Sequence, residues 1–309
     1  MDYLFLLLGF VILIASGDVL VRGSVSMARF FKVSSLVVGV TVVSLGTSAP
    51  ELFVSLKAAL EGHPDITTGN VIGSNISNIA LVLAATVLIM PMLVNNNIVK
   101  FDWPVMFVSG LLFIVLSLDN ELTMLDGFIF LSALILYIYI TIQKGRKARK
   151  HGPVILPPQY NIFLSITFIL AGITGMYFGA DFLIDSASSI AKQWGVSEKV
   201  ISVSIIAFGT SVPELATSII AAIKKESDIS VGNIIGSNIF NILAILGVSS
   251  IVHPIKISSE LIYTDGMWML ATFVALFIFM FIPKRFTISR VGGIVLLITY
   301  IIYIYINFQ

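Results

Sequence analysis

The stretch SLGTSAPELFVS at residues 44–55 returns as AFGTSVPELATS at residues 207–218, and this repetition decides how the chain is organised. Each copy is followed at the same distance by a second motif, GNVIGSNISN at 69–78 and GNIIGSNIFN at 232–241. Both motifs combine glycine, serine and asparagine with apolar residues, and the first also carries a proline and a glutamate. The chain therefore consists of two related halves.

The composition is that of a membrane protein. Of the 309 residues, 57% are hydrophobic and only 11% are charged, and the mean hydropathy is +1.02. A soluble domain carries about a quarter charged residues. Because lipid offers no partners for open backbone groups, every span is predicted to be helical. Runs long enough to cross a bilayer lie at 3–22, 36–60, 66–92, 101–119, 125–142, 160–184, 198–223, 229–252, 262–283 and 290–308.

The two halves are predicted to be inverted repeats. Each contains five spans, so we expect a first five-helix repeat at 1–142, a basic linker at 143–159 and a second repeat at 160–309. Since five is odd, the second repeat must enter the membrane from the opposite side, an arrangement that many secondary transporters share. The predicted fold is therefore an all-α integral membrane protein with ten transmembrane helices in two inverted repeats.

The charge distribution gives the orientation, because cytoplasmic loops collect lysine and arginine. With the central loop KGRKARKHGP on the cytoplasmic side, 14 of the 18 lysines and arginines lie inside. Only Lys57, Lys192, Lys199 and Lys256 then lie outside. We therefore expect a multi-pass protein of the cell (inner) membrane, with both termini outside.

The motifs place Glu51 and Glu214 in the middle of apolar spans, where an unpaired carboxylate costs several kcal/mol. Each glutamate follows a proline, which should break its helix and free carbonyl oxygens at membrane depth. The neighbouring oxygen-bearing side chains are Thr47, Ser48, Ser74 and Asn78, repeated as Thr210, Ser211, Ser237 and Asn241. Such an oxygen-only set suits hard cations such as sodium and calcium, and calcium better than magnesium. The residues thus predict one cation site between the halves.

Other functional classes find little support in the sequence. There is no cysteine, and hence no disulfide or thiolate metal site. No nucleophile–base pair, phosphate loop or cofactor motif is present, so we expect neither an enzyme nor a bound cofactor. The net charge of +1 suggests no nucleic-acid partner. We expect membrane lipid to surround the protein, and we infer no protein partner. A cation channel would use similar oxygen ligands, but broken helices in inverted halves fit a carrier better.

The paired motifs GTSAPE with GNVIGSNISN, and GTSVPE with GNIIGSNIFN, resemble the two alpha-repeats of the sodium/calcium exchangers in the cation/calcium antiporter superfamily. The resemblance covers the whole chain and is to a compact prokaryotic member. It implies a secondary antiporter that exports calcium in exchange for sodium.

The resemblance also implies roles for individual residues. Glu51 and Glu214 would be the central calcium ligands, and Thr47 and Thr210 would add backbone carbonyls. The flanking sodium sites and the centre would be completed by Ser48, Ser211, Ser74, Ser237, the carbonyls of Ser44 and Ala207, and the side chains of Asn78 and Asn241.

Two alternatives remain on the same scaffold. Calcium/proton relatives usually carry a core close to Gly-Asn-Ala-X-Glu, from which this chain departs in both halves. Potassium-dependent relatives tend to carry aspartate where this chain has Asn241, although some potassium-independent relatives carry it as well. A calcium/proton or a potassium-dependent sodium/calcium antiporter therefore stays open beside sodium/calcium exchange.

Overall fold

A computed structural model of the chain describes residues 1–149, 157–195 and 209–307, which are mostly helical. With π-helical segments counted as part of the helices that contain them, the described helices are α1 (Asp2–Phe31), α2 (Ser35–Thr47), α3 (Ala49–Leu60), α4 (Pro64–Ile89), α5 (Ile98–Leu116), α6 (Met124–Arg149), α7 (Ile162–Gln193), α8 (Val212–Ile223), α9 (Ser227–Val252), α10 (Leu261–Phe279) and α11 (Arg290–Asn307). The strands β1 (Met92–Leu93), β2 (Glu121–Leu122), β3 (Ile255–Lys256) and β4 (Thr287–Ile288) form two short ribbons.

The described helices confirm an all-α membrane fold. Eight are long and apolar enough to cross a bilayer, and the bent pair α2–α3 makes a ninth such span in the described part of the chain. The predicted span at 198–223 is described only from residue 209 onward, and α8 lies within that described portion. Helices α1 and α7 extend to Phe31 and Gln193, beyond the predicted ends of their spans at residues 22 and 184. The more polar residues that follow each apolar run continue the helix.

The predicted helix break is present between α2 and α3, which meet at 46°. Ser48 at the junction has φ −86° and ψ 5°, outside helical geometry, and Pro50 occupies the first turn of α3. Ser211 has nearly the same angles before α8, whose first turn contains Pro213. Proline fits a first helical turn because its missing N–H needs no partner there. The same local sequence therefore starts a new helix at the same point of both repeats.

The core of the protein surrounds α4 and α9, the most buried spans. In their most apolar windows, 72% and 83% of the residues are buried. The largest apolar cluster joins these two helices to α5, α6, α10 and α11. Helices α1 and α7 belong to separate, smaller clusters that they share mainly with faces of α2 and α8. The chain thus packs as a central group of helices with an α1–α7 pair against its side.

The α1–α7 pair is antiparallel and closely crossed. Gly9 of α1 lies against the backbone of Gly179 and Leu183, and Gly172 of α7 lies against the backbone of Leu20. Small residues let membrane helices approach in this way, so that packing contacts replace the hydrophobic driving force that lipid does not supply.

We expect Gly9→Ala to destabilise this pair more than Gly17→Ala. A Cβ at Gly9 would lie 2.9 Å from the carbonyl oxygen of Gly179 and 3.0 Å from the amide of Leu183, so the backbone would have to move. At Gly17 the nearest atom would be Cδ1 of Ile220, the end of a flexible side chain. The expected loss at Gly9 is about 1–3 kcal/mol of unfolding free energy, measured as thermal midpoints in detergent. Equal midpoints for the two variants would contradict this packing.

The loops meet in pairs at the two ends of the helices. Strand β1, after α4, pairs with β4 between α10 and α11, and β2, between α5 and α6, pairs with β3 after α9. The first two loops are both predicted to be cytoplasmic and the second two external. In addition, Asp18 of α1 pairs with Arg22 at 2.6 Å and with Lys224 at the end of α8, and both cations are predicted to lie inside. These contacts agree with the alternation of spans that the charge pattern predicts.

Candidate cation site

The two motif glutamates lie in equivalent places. Glu51 is in the first turn of α3 and Glu214 in the first turn of α8, directly after the broken backbone. Neither residue has any exposed surface. A helix N-terminus favours negative charge. The ion pairs found among the described residues include neither glutamate.

The carboxylate of Glu214 is held by hydroxyls from both repeats. Ser48 of the first repeat donates a hydrogen bond to Glu214 Oε1 over 3.0 Å, and Ser237 of α9 donates to the same oxygen over 3.3 Å. Because Ser48 is only three residues from Glu51, this contact brings the two motif copies together. The structure thus brings Ser48 and Ser237 onto the carboxylate of Glu214, with Glu51 one helical turn from Ser48 along the chain.

Several buried polar atoms of the predicted ligands have no hydrogen-bond partner among the described residues. They are both carboxylate oxygens of Glu51, Oε2 of Glu214, the side-chain amides of Asn78 and Asn241, and Oγ of Ser211. A buried polar atom without a partner costs about 1–3 kcal/mol, and more when it is charged. The carboxylate, amide and hydroxyl oxygens among these atoms are the kinds of ligand that a hard cation binds.

Asn78 and Asn241 each begin a π-helical segment, Asn78–Leu83 in α4 and Asn241–Leu246 in α9. A π-helical turn leaves the ordinary hydrogen-bond ladder and is common at functional sites. Both asparagines are fully buried. The family resemblance implies that the two asparagines line the centre. The sequence does not predict the π-helical turns, since no proline or glycine lies within either segment.

The remaining predicted ligands that the structure describes are buried. Thr47 Oγ1 lies 3.1 Å from Asn233 Oδ1, and the Ser44 carbonyl accepts the Ser48 amide at 2.9 Å. Ser74 and Thr210 are 3% and 8% exposed. Ala207 lies outside the described residues. The described chain holds no cluster of three or more His, Cys, Asp or Glu side chains, so the charge of the centre comes from its two glutamates.

A pair of asparagines that the sequence interpretation passed over supports the site. Asn70 Nδ2 donates to Ser55 Oγ at 2.9 Å and to the Glu51 carbonyl at 3.2 Å. Its counterpart Asn233 donates to Ser218 Oγ at 3.2 Å. Both asparagines follow the first glycine of the GN motif, and both serines end the quoted glutamate motif. The same asparagine and serine stand at the same spacing in both repeats, and this repetition could have identified them from the sequence.

The motif glycines of the second repeat allow close helix packing. A Cβ on Gly232 would lie 3.2 Å from the Leu36 carbonyl, and one on Gly236 would lie 2.8 Å from Val40 Cα. Helix α9 thereby sits directly on α2. The first repeat differs, because an added Cβ at Gly69 or Gly73 would meet no described atom of a neighbouring helix within 4 Å.

Similarity to known proteins extends over nearly the whole chain. The family model described as "Sodium/calcium exchanger protein" matches residues 1–143 and 164–309. The putative antiporter CaxA of Alkalimonas amylolytica is 38% identical over 99% of this chain and 98% of its own length. The sodium/calcium exchanger MaX1 of Methanosarcina acetivorans is 28% identical over 99% and 98%.

A solved structure extends the similarity to the fold. The sodium-calcium exchanger NCX_Mj, in a crystal soaked with zero sodium and calcium, matches with a TM-score of 0.86 and 32% identity, covering 98% of each chain. Both repeats are thus covered by the family model, by full-length relatives and by a solved structure. The chain belongs to the sodium/calcium exchanger family.

Proposed function

We propose that this protein is a secondary antiporter that exports calcium in exchange for sodium through a mid-membrane site between Glu51 and Glu214. The observation that carries the proposal is a buried pair of carboxylates, one from each repeat, with three of their four oxygens unpaired among the described residues. Family membership supports the transport class. The names of MaX1 and NCX_Mj supply the two ions.

The surroundings of the glutamates support calcium as the divalent ion. Two carboxylates balance its charge, and the neighbouring hydroxyl, amide and carbonyl oxygens can build a shell of about six to eight ligands. The proposed ligands are the twelve residues named from the resemblance, of which all but Ala207 are described. Sodium uses the same carboxylates when calcium leaves. Because the two ions compete for one pair of glutamates, their flows are coupled as access alternates between the two sides.

The proposed architecture has ten spans in two inverted repeats, 1–142 and 160–309, joined by a cytoplasmic linker at 143–159. It places both termini outside the cell membrane. The pairing of β1 with β4 and of β2 with β3 supports it, because each ribbon joins loops that this topology puts on one side. The 14 to 4 division of lysine and arginine supports the orientation.

We expect purified protein in sodium-loaded liposomes to accumulate radioactive calcium when the vesicles are diluted into sodium-free choline buffer. Dilution into sodium buffer removes the gradient and should stop uptake, as should an ionophore that dissipates the sodium gradient. Liposomes without protein are the control. Uptake that ignores sodium and follows an imposed pH gradient would contradict the proposal and indicate calcium/proton exchange. A requirement for potassium beside sodium would indicate the potassium-dependent type.

A further inference from the structure

One buried side chain, Asn233, connects the two repeats beside the proposed site. It lies inside α9 with no exposed surface. Its Oδ1 accepts a hydrogen bond from Thr47 Oγ1 of the first repeat at 3.1 Å, and its Nδ2 donates to Ser218 Oγ of the second repeat at 3.2 Å. Both ends of the amide are therefore used, one in each repeat.

The second-repeat end of this connection is itself fixed. Ser230 Oγ donates to the Ser218 carbonyl at 2.8 Å. Because Asn233 contacts the Ser218 hydroxyl, α9 binds both the backbone and the side chain of Ser218. The first repeat has the equivalent hydrogen bond, in which Thr67 Oγ1 donates to the Ser55 carbonyl at 3.0 Å. Since Ser218 lies on α8, four residues after Glu214, Asn233 is anchored to the helix that carries one of the glutamates.

The first-repeat end is the turn at which α2 breaks. Thr47 is the last residue of α2, and Ser48, the next residue, donates to Glu214 Oε1 at 3.0 Å. Thr47 Oγ1 also lies 3.4 Å from the carbonyl oxygen of Ser44. The last turn of a helix has no complete backbone ladder to hold it. The hydrogen bond to Asn233 is thus a side-chain contact that fixes this turn against the other repeat.

We propose that Asn233 is a positioning residue that holds the Ser44–Ser48 turn in the geometry needed to bind calcium. It acts through Thr47 and touches no ion itself. This inference rests on the proposed calcium site, because the turn supplies ligands only if calcium binds between the repeats. The buried hydrogen bond sets calcium affinity by keeping the ligands in place before the ion arrives, which reduces the ordering cost of binding.

The test is a double-mutant cycle on equilibrium binding of radioactive calcium by purified protein in sodium-free buffer. Asn233→Ala and Thr47→Val should each weaken binding by about tenfold, as expected for a lost buried hydrogen bond. If the two groups act as one unit, the double variant should bind no more weakly than either single variant. Thermal midpoints, measured in parallel, separate an effect on affinity from a general loss of stability.

Thr41 offers a matched control on the same helix. Its Oγ1 donates to the carbonyl of Val37 at 2.6 Å, a bond within α2 that does not involve Asn233. Thr41→Val should leave calcium affinity within about twofold of wild type and should combine additively with Asn233→Ala. If Asn233→Ala does not fold, the comparison of Thr47→Val with Thr41→Val still tests the connection from its other end.

The outcomes separate the two proposals. Wild-type protein that binds calcium, together with additive effects of Asn233→Ala and Thr47→Val, would overturn the positioning role and leave the proposed function intact. Equal effects of Thr47→Val and Thr41→Val would do the same. Wild-type protein that binds no calcium would overturn both proposals. A tenfold loss at Asn233 that is not enlarged by Thr47→Val would support the positioning role.

Discussion

Replacing either motif glutamate by glutamine is expected to abolish calcium transport while leaving the protein folded. Glu51→Gln and Glu214→Gln keep the shape of the side chain but remove one of the two charges that would balance a calcium ion. Losing one charge of a buried ionic cluster costs roughly 3–5 kcal/mol, which corresponds to more than about 100-fold in binding. Calcium uptake driven by a sodium gradient in liposomes measures the loss directly.

The same variants should not lose stability in the absence of calcium. Both glutamates are completely buried, and neither takes part in the ion pairs found in the described parts of the chain. Neutralising an unbalanced buried charge removes a large desolvation cost. We therefore expect thermal midpoints in calcium-free buffer to stay the same or rise.

Asp102→Asn is a suitable control for these variants. Asp102 is also buried, at 2% exposure, but its Oδ1 accepts a hydrogen bond from Tyr137 at 3.0 Å within the α5–α6 contact. This substitution should leave transport largely intact. Wild-type transport rates in Glu51→Gln or Glu214→Gln would exclude the glutamate pair as the ion site.

The sequence alone was sufficient to predict features that depend on a few neighbouring residues or on the lipid around a span. The cost of a carboxylate in an apolar span identified Glu51 and Glu214, and both are fully buried. The rule that proline cannot continue a helix identified the break before α3. These inferences need only the few residues around each position, together with the knowledge that lipid surrounds the span.

The contacts between the repeats could not be read from the sequence. Ser48 and Ser211 occupy equivalent positions, yet Ser48 binds Glu214, whereas Ser211 Oγ has no hydrogen-bond partner among the described residues. Such a difference depends on how one repeat sits against the other. The bond between Thr47 and Asn233 spans 186 positions of the chain, and no local pattern marks it. The π-helical turns are likewise a product of packing, since their residues also suit an ordinary α-helix.

Gly236→Ala is expected to damage both stability and transport, because α9 rests on α2 at this position without room for a side chain. An added Cβ would lie 2.6 Å from Ser44 Oγ and 2.8 Å from Val40 Cα. The second contact is with backbone, so the helices would have to separate. Overpacking of this kind costs about 1–3 kcal/mol, enough for roughly a 30-fold loss if it falls on ion binding. Thermal midpoints and calcium uptake measure the two effects.

The damage should be specific to the surface that holds the site. Gly247 lies on the same helix, but an added Cβ there would meet the side chain of Leu131, with Cδ2 at 2.9 Å, rather than backbone. Leucine can change rotamer, so Gly247→Ala should cost less stability and leave calcium uptake close to wild type. If both alanine variants transport equally well, the close approach of α9 to α2 is not needed for ion binding. If only Gly236→Ala fails, the glycine of the second motif serves to bring Asn233 and Ser237 within reach of Thr47 in the opposite repeat, at 3.1 Å and 3.4 Å from its Oγ1.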